Sequence, residues 1–267
     1  MRVRPLPRDL GIGFGTGAFS GVFGVGGGIL LVPIQVLGLH IEQKRAQATS
    51  LVMVAMGAFA AGVTYAIGDQ VAWIPAIAIL AGGIFGSLLG SYVVTRSPSR
   101  VLQGAFGVLI IVAAVRLFFS AAPSEDIVGI GGLDWSLAGY VVSGVAMGVL
   151  SALFGIGGGI ILIPILVTFF GFPQQLAAGT SIAVMGPIAL VGAFRQSKTG
   201  MTNWRLGARF GMGAIPGAIA GAALALWLSG PVLRAAFAIV LTGVGLRMVW
   251  HACRRPRAAD APAVTDV

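Results

Sequence analysis

Apolar residues run along this chain in long blocks, without the one-sided stripe of a soluble amphipathic helix or the alternation of a strand. Eight blocks approach the roughly 20 helical residues needed to cross about 30 Å of hydrocarbon. They cover approximately residues 10–38, 46–67, 72–95, 100–120, 136–171, 176–194, 206–228 and 232–251. Charged or turn-forming residues part them: Glu42 to Arg45, Gly68-Asp69, Arg96 to Arg100, Glu125-Asp126, Arg195 to Lys198 and Ser229-Gly230-Pro231. Lipid offers peptide groups no hydrogen-bond partner, so each block is expected to be helical, with breaks only where protein or water shields them. Trp73, Trp135, Trp204, Trp227 and Trp250 fall near block ends, where amphipathic rings favour the headgroup level. The pattern predicts an all-α polytopic transmembrane helical bundle of about eight hydrophobic segments. Met1 to Arg8 ahead of an apolar stretch has the outline of a signal peptide. Cleavage there would remove part of a motif that the second half of the chain keeps, so the stretch is read as part of the first segment.

The blocks repeat. Residues 17–36 read GAFSGVFGVGGGILLVPIQV and residues 148–167 read GVLSALFGIGGGIILIPILV, an offset of 131. The same register takes Ser20 to Ser151, Pro33 to Pro164, Thr49-Ser50 to Thr180-Ser181, Trp73 to Trp204, Gly86 to Gly217 and Gly90 to Gly221. It divides the chain into an N-terminal repeat (1–120), a linker (121–135), a C-terminal repeat (136–252) and a tail (253–267) expected to be cytoplasmic. Many secondary transporters are built from such repeats, with substrate near the midplane at the repeat interface. Channels and some membrane enzymes are duplicated too.

Composition narrows the class further. Charged residues make up 9% of the chain, against about a quarter in a soluble domain, and the mean hydropathy is +0.97. These values exclude a soluble enzyme, a nucleic-acid-binding domain and a disordered chain. The net charge of +9 therefore reads as an orientation signal. With a cytoplasmic N-terminus, the first block of each half can enter, break at its glycines and return, which makes the halves inverted. That topology places every Lys and Arg except Arg116 and Arg234 on the inside. A single crossing makes the halves parallel and moves Lys44, Arg45, Arg96 and Arg100 outside, so charge favours inversion. Length agrees in the first half, where Leu10 to Phe23 spans only about 21 Å at about 1.5 Å per residue. The counterpart in the second half extends back to Trp135 and comes closer to crossing.

The chemistry concentrates in two glycine clusters, Gly24-Val25-Gly26-Gly27-Gly28 and Gly155-Ile156-Gly157-Gly158-Gly159. A glycine inside a helix costs about 1 kcal/mol relative to alanine, so a cluster there points to unwinding or to very close helix contact. Unwound backbone followed by a fresh helix presents free N–H groups, a ready anion site. The amides of Gly26, Gly27, Gly28, Gly157, Gly158 and Gly159 are the candidate donors. Thr49, Ser50, Thr180 and Ser181 open their segments and either cap a helix or bond a substrate oxygen. Ser20 and Ser151, one turn ahead of the glycines, either bond the carbonyl one turn back or line the cavity. No Asp or Glu falls inside a predicted span, which is compatible with an anionic substrate. Arg195 and Lys198 sit where they could attract an anion, although a topogenic role accounts for them. Gly186-Pro187 predicts a kink in the sixth segment. No metal-ligand cluster or nucleophile–base arrangement is evident, and one cysteine, Cys253, excludes an internal disulfide.

Through Gly17…Ser20…Phe23-Gly24-Val25-Gly26-Gly27-Gly28…Pro33 with Ala48-Thr49-Ser50, and Ser151…Phe154-Gly155-Ile156-Gly157-Gly158-Gly159…Pro164 with Gly179-Thr180-Ser181, the sequence resembles the sulfite exporter TauE/SafE family, also called the toluene-sulfonate uptake permease family. The resemblance implies a multi-pass inner-membrane transporter, not an enzyme, moving a small sulfur-containing anion of the sulfite, sulfonate or sulfoacetate class. The alternatives from the residues alone are a membrane-embedded assembly or scaffold factor and a passive anion channel. The expected partners are a small anionic substrate and the lipid bilayer, with homo-oligomerisation left open; no nucleic acid and no cofactor is expected. Both termini are expected in the cytoplasm. Reporter fusions in the 68–70 and 195–205 loops should therefore report opposite sides of the membrane, and the same side for both would overturn the inverted topology.

Overall fold

The computed structural model describes residues 6–93, 133–155 and 157–253. The fourth predicted segment, most of the linker and the tail beyond Cys253 lie outside the described residues. The elements are α1 (Leu6–Phe23), α2 (Gly28–Pro33) with a π-helical turn (Ile34–Gly38), α3 (Gln43–Ile67) and α4 (Trp73–Val93). After the linker come α5 (Leu133–Phe154), α6 (Gly159–Phe169), α7 (Gln174–Ser197), α8 (Trp204–Trp227) and α9 (Gly230–Cys253). Among the described residues there is no strand. α3, α4, α5, α7 and α8 are long and apolar enough to cross a membrane.

Local chemistry explains the boundaries. α1 stops after Phe23 because Gly24 and Gly26 take φ of 71° and 78°, a left-handed conformation that costs residues with a Cβ about 1 kcal/mol or more. α5 stops in the same way at Gly155, with Gly157 and Gly158 also at positive φ. Pro33 has no N–H to donate, and the chain continues from it as a π-helical turn; the helix holding Pro164 stays α-helical. α7 runs as one helix through Pro187. Two expected boundaries change. α1 begins at Leu6, so it is 18 residues long, about 27 Å, and takes in Arg8 and Asp9. α3 begins at Gln43 and α7 at Gln174, which places Thr49-Ser50 and Thr180-Ser181 in the second turn and rules out helix capping by them.

Which ends lie together follows from contacts between elements. At one end, Asp9 of α1 pairs with Arg209 of α8, and Thr49 near the start of α3 meets Asn203 just ahead of α8. The link from α2 to α3 also returns to this end, where Ile41 joins Ile12 and Leu206 around Leu31 and Phe210. At the opposite end, Ala72 ahead of α4 bonds Thr180 near the start of α7. Gln175 bonds the carbonyl of Leu228 after α8, and Tyr140 of α5 stacks on Phe170 after α6. Hence α1, α3 and α8 set out from the first end, α4, α5 and α7 from the other, and α3 and α7 run in opposite directions.

Two helix pairs pack backbone to backbone along their length. On α1, Gly13, Gly17 and Gly21 lie on the carbonyls of Phe210, Ala214 and Ala218. Gly213, Gly217 and Gly221 of α8 lie on those of Leu10, Phe14 and Ala18. α4 and α5 repeat the arrangement: Gly82, Gly86 and Gly90 rest on Val141, Val145 and Val149, and Gly144 and Gly148 rest on Ile79 and Gly83. A four-residue spacing keeps each glycine row on one helix face, and in lipid such rows let dispersion contacts do what hydrophobicity does in water. α3 and α7 run through the middle, with Leu51, Ile182, Met185 and Ile188 fully buried between them and their neighbours. Outward-facing side chains such as Ile67, Trp73, Phe169 and Trp227 are exposed apolar groups, as a lipid-facing surface requires. Gly17→Ala should lower the melting temperature of detergent-solubilised protein by an amount corresponding to about 1–3 kcal/mol of overpacking. Gly15→Ala, on the same helix with open space around it, should leave the melting temperature unchanged or raise it.

Candidate functional site

Breaking a helix inside an apolar mass frees carbonyls and amides that need new partners. For the carbonyl at its break, each half finds one in the other. The hydroxyl of Ser181 donates to the carbonyl of Gly24 at 3.1 Å, and that of Ser50 donates to the carbonyl of Gly155 at 2.6 Å. The two bonds are the same bond under the 131-residue offset. The breaks also lie against one another: a Cβ on Gly159 would overlap the Gly24 carbonyl, and one on Gly155 would overlap the Gln47 backbone and the Ser50 hydroxyl. Ser50 and Ser181 have no solvent exposure.

Thr49 and Thr180 hold the next layer. Thr49 Oγ1 accepts from the Asn203 amide at 3.2 Å, and Thr180 Oγ1 accepts from the Ala72 amide at 3.0 Å. Each therefore pins the loop that feeds a helix of the other half, and each keeps its hydroxyl proton free to donate. They face opposite ends of the bundle and do not converge on one point. Two side chains the sequence reading missed secure the helix ends ahead of the breaks. Tyr65 donates to the Gly21 carbonyl at 2.9 Å, and Gln196 donates to the Ala152 carbonyl at 3.1 Å. They too are offset partners, and a search for polar residues repeated at that offset would have found them as a pair despite their different chemistry.

Ser20 and Ser151 are buried, and their carbonyls accept the Gly24 and Gly155 amides that close α1 and α5. The Ser151 hydroxyl has no hydrogen-bond partner, so it is a free donor beside the second break. The bond to the carbonyl one turn back is made by Thr16, to Ile12. Gly26, Gly27 and Gly28, like Gly157, Gly158 and Gly159, are buried. The carbonyl of Gly27 accepts from Leu30 and Leu31, and that of Gly158 from Ile161 and Leu162. The earlier first-turn amides, those of Gly28 and Ile29 and of Gly159 and Ile160, lack an intrahelical acceptor by helix geometry. The site is thus assembled from amides and hydroxyls.

A cavity of about 610 Å³ opens at the first end between the α2–α3 link and the loop before α8. His40, Arg45 and Arg205 line its mouth, and Thr49 lies on its wall. A smaller one of about 220 Å³ beside it is lined by Arg195, Gln196 and Lys198, so the suspected cations flank the same mouth. The predicted spans hold no Asp or Glu, but α1 extends back past the start of the first of them. Asp9 lies inside α1 and has no solvent exposure; it was missed because it sits one residue ahead of the apolar block, where sequence marks it as an end.

The model of the sulfite exporter TauE/SafE family matches residues 1–117 and 140–265. A probable membrane transporter protein of Methanocaldococcus jannaschii is 31% identical over 204 residues, 74% of each chain. One of Xylella fastidiosa is 26% identical over 260 residues, covering 94% of this chain and 97% of its own. YunE, a probable membrane transporter protein of Bacillus subtilis, is 24% identical over 90% of this chain and 96% of its own. No solved structure matches the chain significantly. With apolar helices of membrane length and a family match through both repeats, the chain belongs to the sulfite exporter TauE/SafE family of membrane transporters.

Proposed function

We propose that this protein is a secondary transporter of the inner membrane that moves a small sulfur-containing anion, of the sulfite, sulfonate or sulfoacetate class, by alternating access between two inverted repeats. The observation that carries the reading is the pair of bonds from Ser50 to Gly155 and from Ser181 to Gly24, which ties each broken helix to the opposite half. Opposed directions of α3 and α7 support a pseudo-twofold axis lying in the membrane plane, and substrate sites of inverted-repeat transporters form where such broken helices meet.

The anion sits between the breaks. Amides of Gly26, Gly27, Gly28, Gly157, Gly158 and Gly159 supply the dipoles and Ser20 and Ser151 supply hydroxyls; Ser50 and Ser181 spend their protons holding the breaks in place, and Thr49 and Thr180 line the approaches from the two ends. Neutral donors hold an anion without a full counter-charge, so binding stays weak enough for release. The mouth at the first end leads to Thr49; rocking one half against the other would exchange this for a path at the other end, beside Thr180 and Ala72. The family's description as a sulfite exporter supports the sulfite end of that substrate class.

The test is uptake of labelled sulfite or a labelled sulfonate into proteoliposomes holding the full chain. Saturable uptake, with one anion competing for the other, is the expected result; flux that does not saturate would indicate a channel, and none a scaffold. Valine at Gly27 or Gly158 is a poor probe of the site, because a Cβ there overlaps the carbonyl of Thr16 or comes within 2.5 Å of that of Met147, which would cost folded protein as well as flux. Ser50→Ala and Ser181→Ala remove a donor and add nothing. Each leaves a buried carbonyl unpaired, at about 1–3 kcal/mol, and should cut flux by about tenfold while the solubilised protein stays monodisperse. Undiminished flux in both would sink the proposed site.

A further inference from the structure

Asp9 has no exposed area, neither carboxylate oxygen has a hydrogen-bond partner, and Arg209 Nη1 stands 3.8 Å from Oδ2. That is longer than the roughly 2.7–2.9 Å of a charge-assisted hydrogen bond. A carboxylate enclosed in this way is strongly disfavoured unless its lone pairs are satisfied. Among the described residues it is the one fully buried charged side chain, and an ionisable group inside a membrane bundle is a functional suspect by default.

The duplication supplies an internal control. Under the 131-residue offset Asp9 corresponds to Tyr140 of α5 and Arg209 to Ala78 of α4. α4 and α5 pack through the same glycine rows as α1 and α8, with Tyr140 stacked on Phe170 in place of an ion pair. The helix pair therefore forms without the charges. Between α1 and α8 they sit at the head of the seam, just ahead of the contact between Gly13 and Phe210, at the end where the large cavity opens.

We propose that Asp9 is the proton-binding residue that couples transport to a proton gradient, a step that rests on the transporter reading above. One proton passes from water at this end to an Asp9 oxygen. The ion pair opens, Arg209 keeps its own proton and turns further into solvent, where 38% of its side chain already lies, and no other bond forms or breaks. The neutral carboxyl lets α1 move against α8 without dragging a bare charge through apolar packing, and the proton is released when the halves exchange access. The other titratable groups at this end are Arg8 on α1, Arg205 on α8, Lys44 and Arg45 at the start of α3, Arg195 and Lys198 at the end of α7, and His40 and Glu42 in the link to α3. All are exposed. Beyond Arg45, α3 carries no titratable side chain before Tyr65 near its far end.

The test uses the full chain in proteoliposomes with labelled sulfite. Wild-type uptake should be accelerated by a pH gradient of one orientation. Asp9→Asn should lose that acceleration while keeping gradient-free exchange of internal for external sulfite, and Asp9→Glu should restore it. An Asn variant with wild-type gradient dependence overturns the proposal. If Asp9→Asn misfolds, Asp9→Asn with Arg209→Gln removes both charges and is read in the same way. Infrared titration of the purified protein supplies a readout independent of transport: on acidification the wild type should gain a protonated-carboxyl component that the Asn variant lacks, seen as a band in the wild-type-minus-variant difference spectrum. Should wild-type protein carry no sulfite, the transporter reading fails by itself; the infrared band then decides Asp9, and its absence overturns the proton site.

Discussion

Hydrocarbon has no partner to offer a peptide carbonyl, and this chain interrupts α1 and α5 deep inside its apolar mass. The rest of the architecture answers to that constraint. The carbonyls of Gly24 and Gly155 are met by serine hydroxyls from α7 and α3, and the helix turns ahead of them are clipped by Tyr65 and Gln196. None of these partners belongs to the local hairpin: Ser181 and Ser50 reach across to the other half. Neither half can satisfy its own break, so the two must assemble around one centre. The same necessity places unspent amides and a free Ser151 hydroxyl there.

Glycine does two separate jobs in this fold. In the breaks it takes left-handed backbone, which lets the chain reverse within a few residues. Along α1, α8, α4 and α5 it has ordinary helical geometry and serves by having no side chain, so that carbonyls of the neighbouring helix lie where a methyl would be. Hydrophobicity cannot drive helix association in lipid, and close dispersion contact takes its place. The composition follows from that requirement.

The two halves are alike in plan and unlike in detail. Gly171 and Gly200 take positive φ where their counterparts His40 and Asp69 do so with a side chain. Such residues tolerate the left-handed region at some cost, and both lie in loops, where solvent can reach. A π-helical turn follows Pro33 but not Pro164, and the seam between α1 and α8 is headed by charges where that between α4 and α5 is headed by an aromatic stack. These differences give the two ends of the bundle different chemistry.

The sequence by itself determined the helical class, the membrane setting and the family, because those rest on the length and polarity of blocks and on a doubled motif, all local properties. It also showed where glycine was concentrated and which hydroxyls recurred with it. It did not show that Thr49 and Ser50 lie within a helix instead of capping it, because nothing in Gln43 to Arg45 signals a start as polar as the one α3 uses. Nor did it show that the four-residue glycine spacing was an interface, since which face meets which helix depends on the neighbour. Asp9 is the sharpest case. In one dimension it is a charge at the edge of an apolar block, indistinguishable from a solvated terminus. Only when α8 is laid along α1 is the carboxylate shut away from water, because burial belongs to the assembled pair and to neither segment alone.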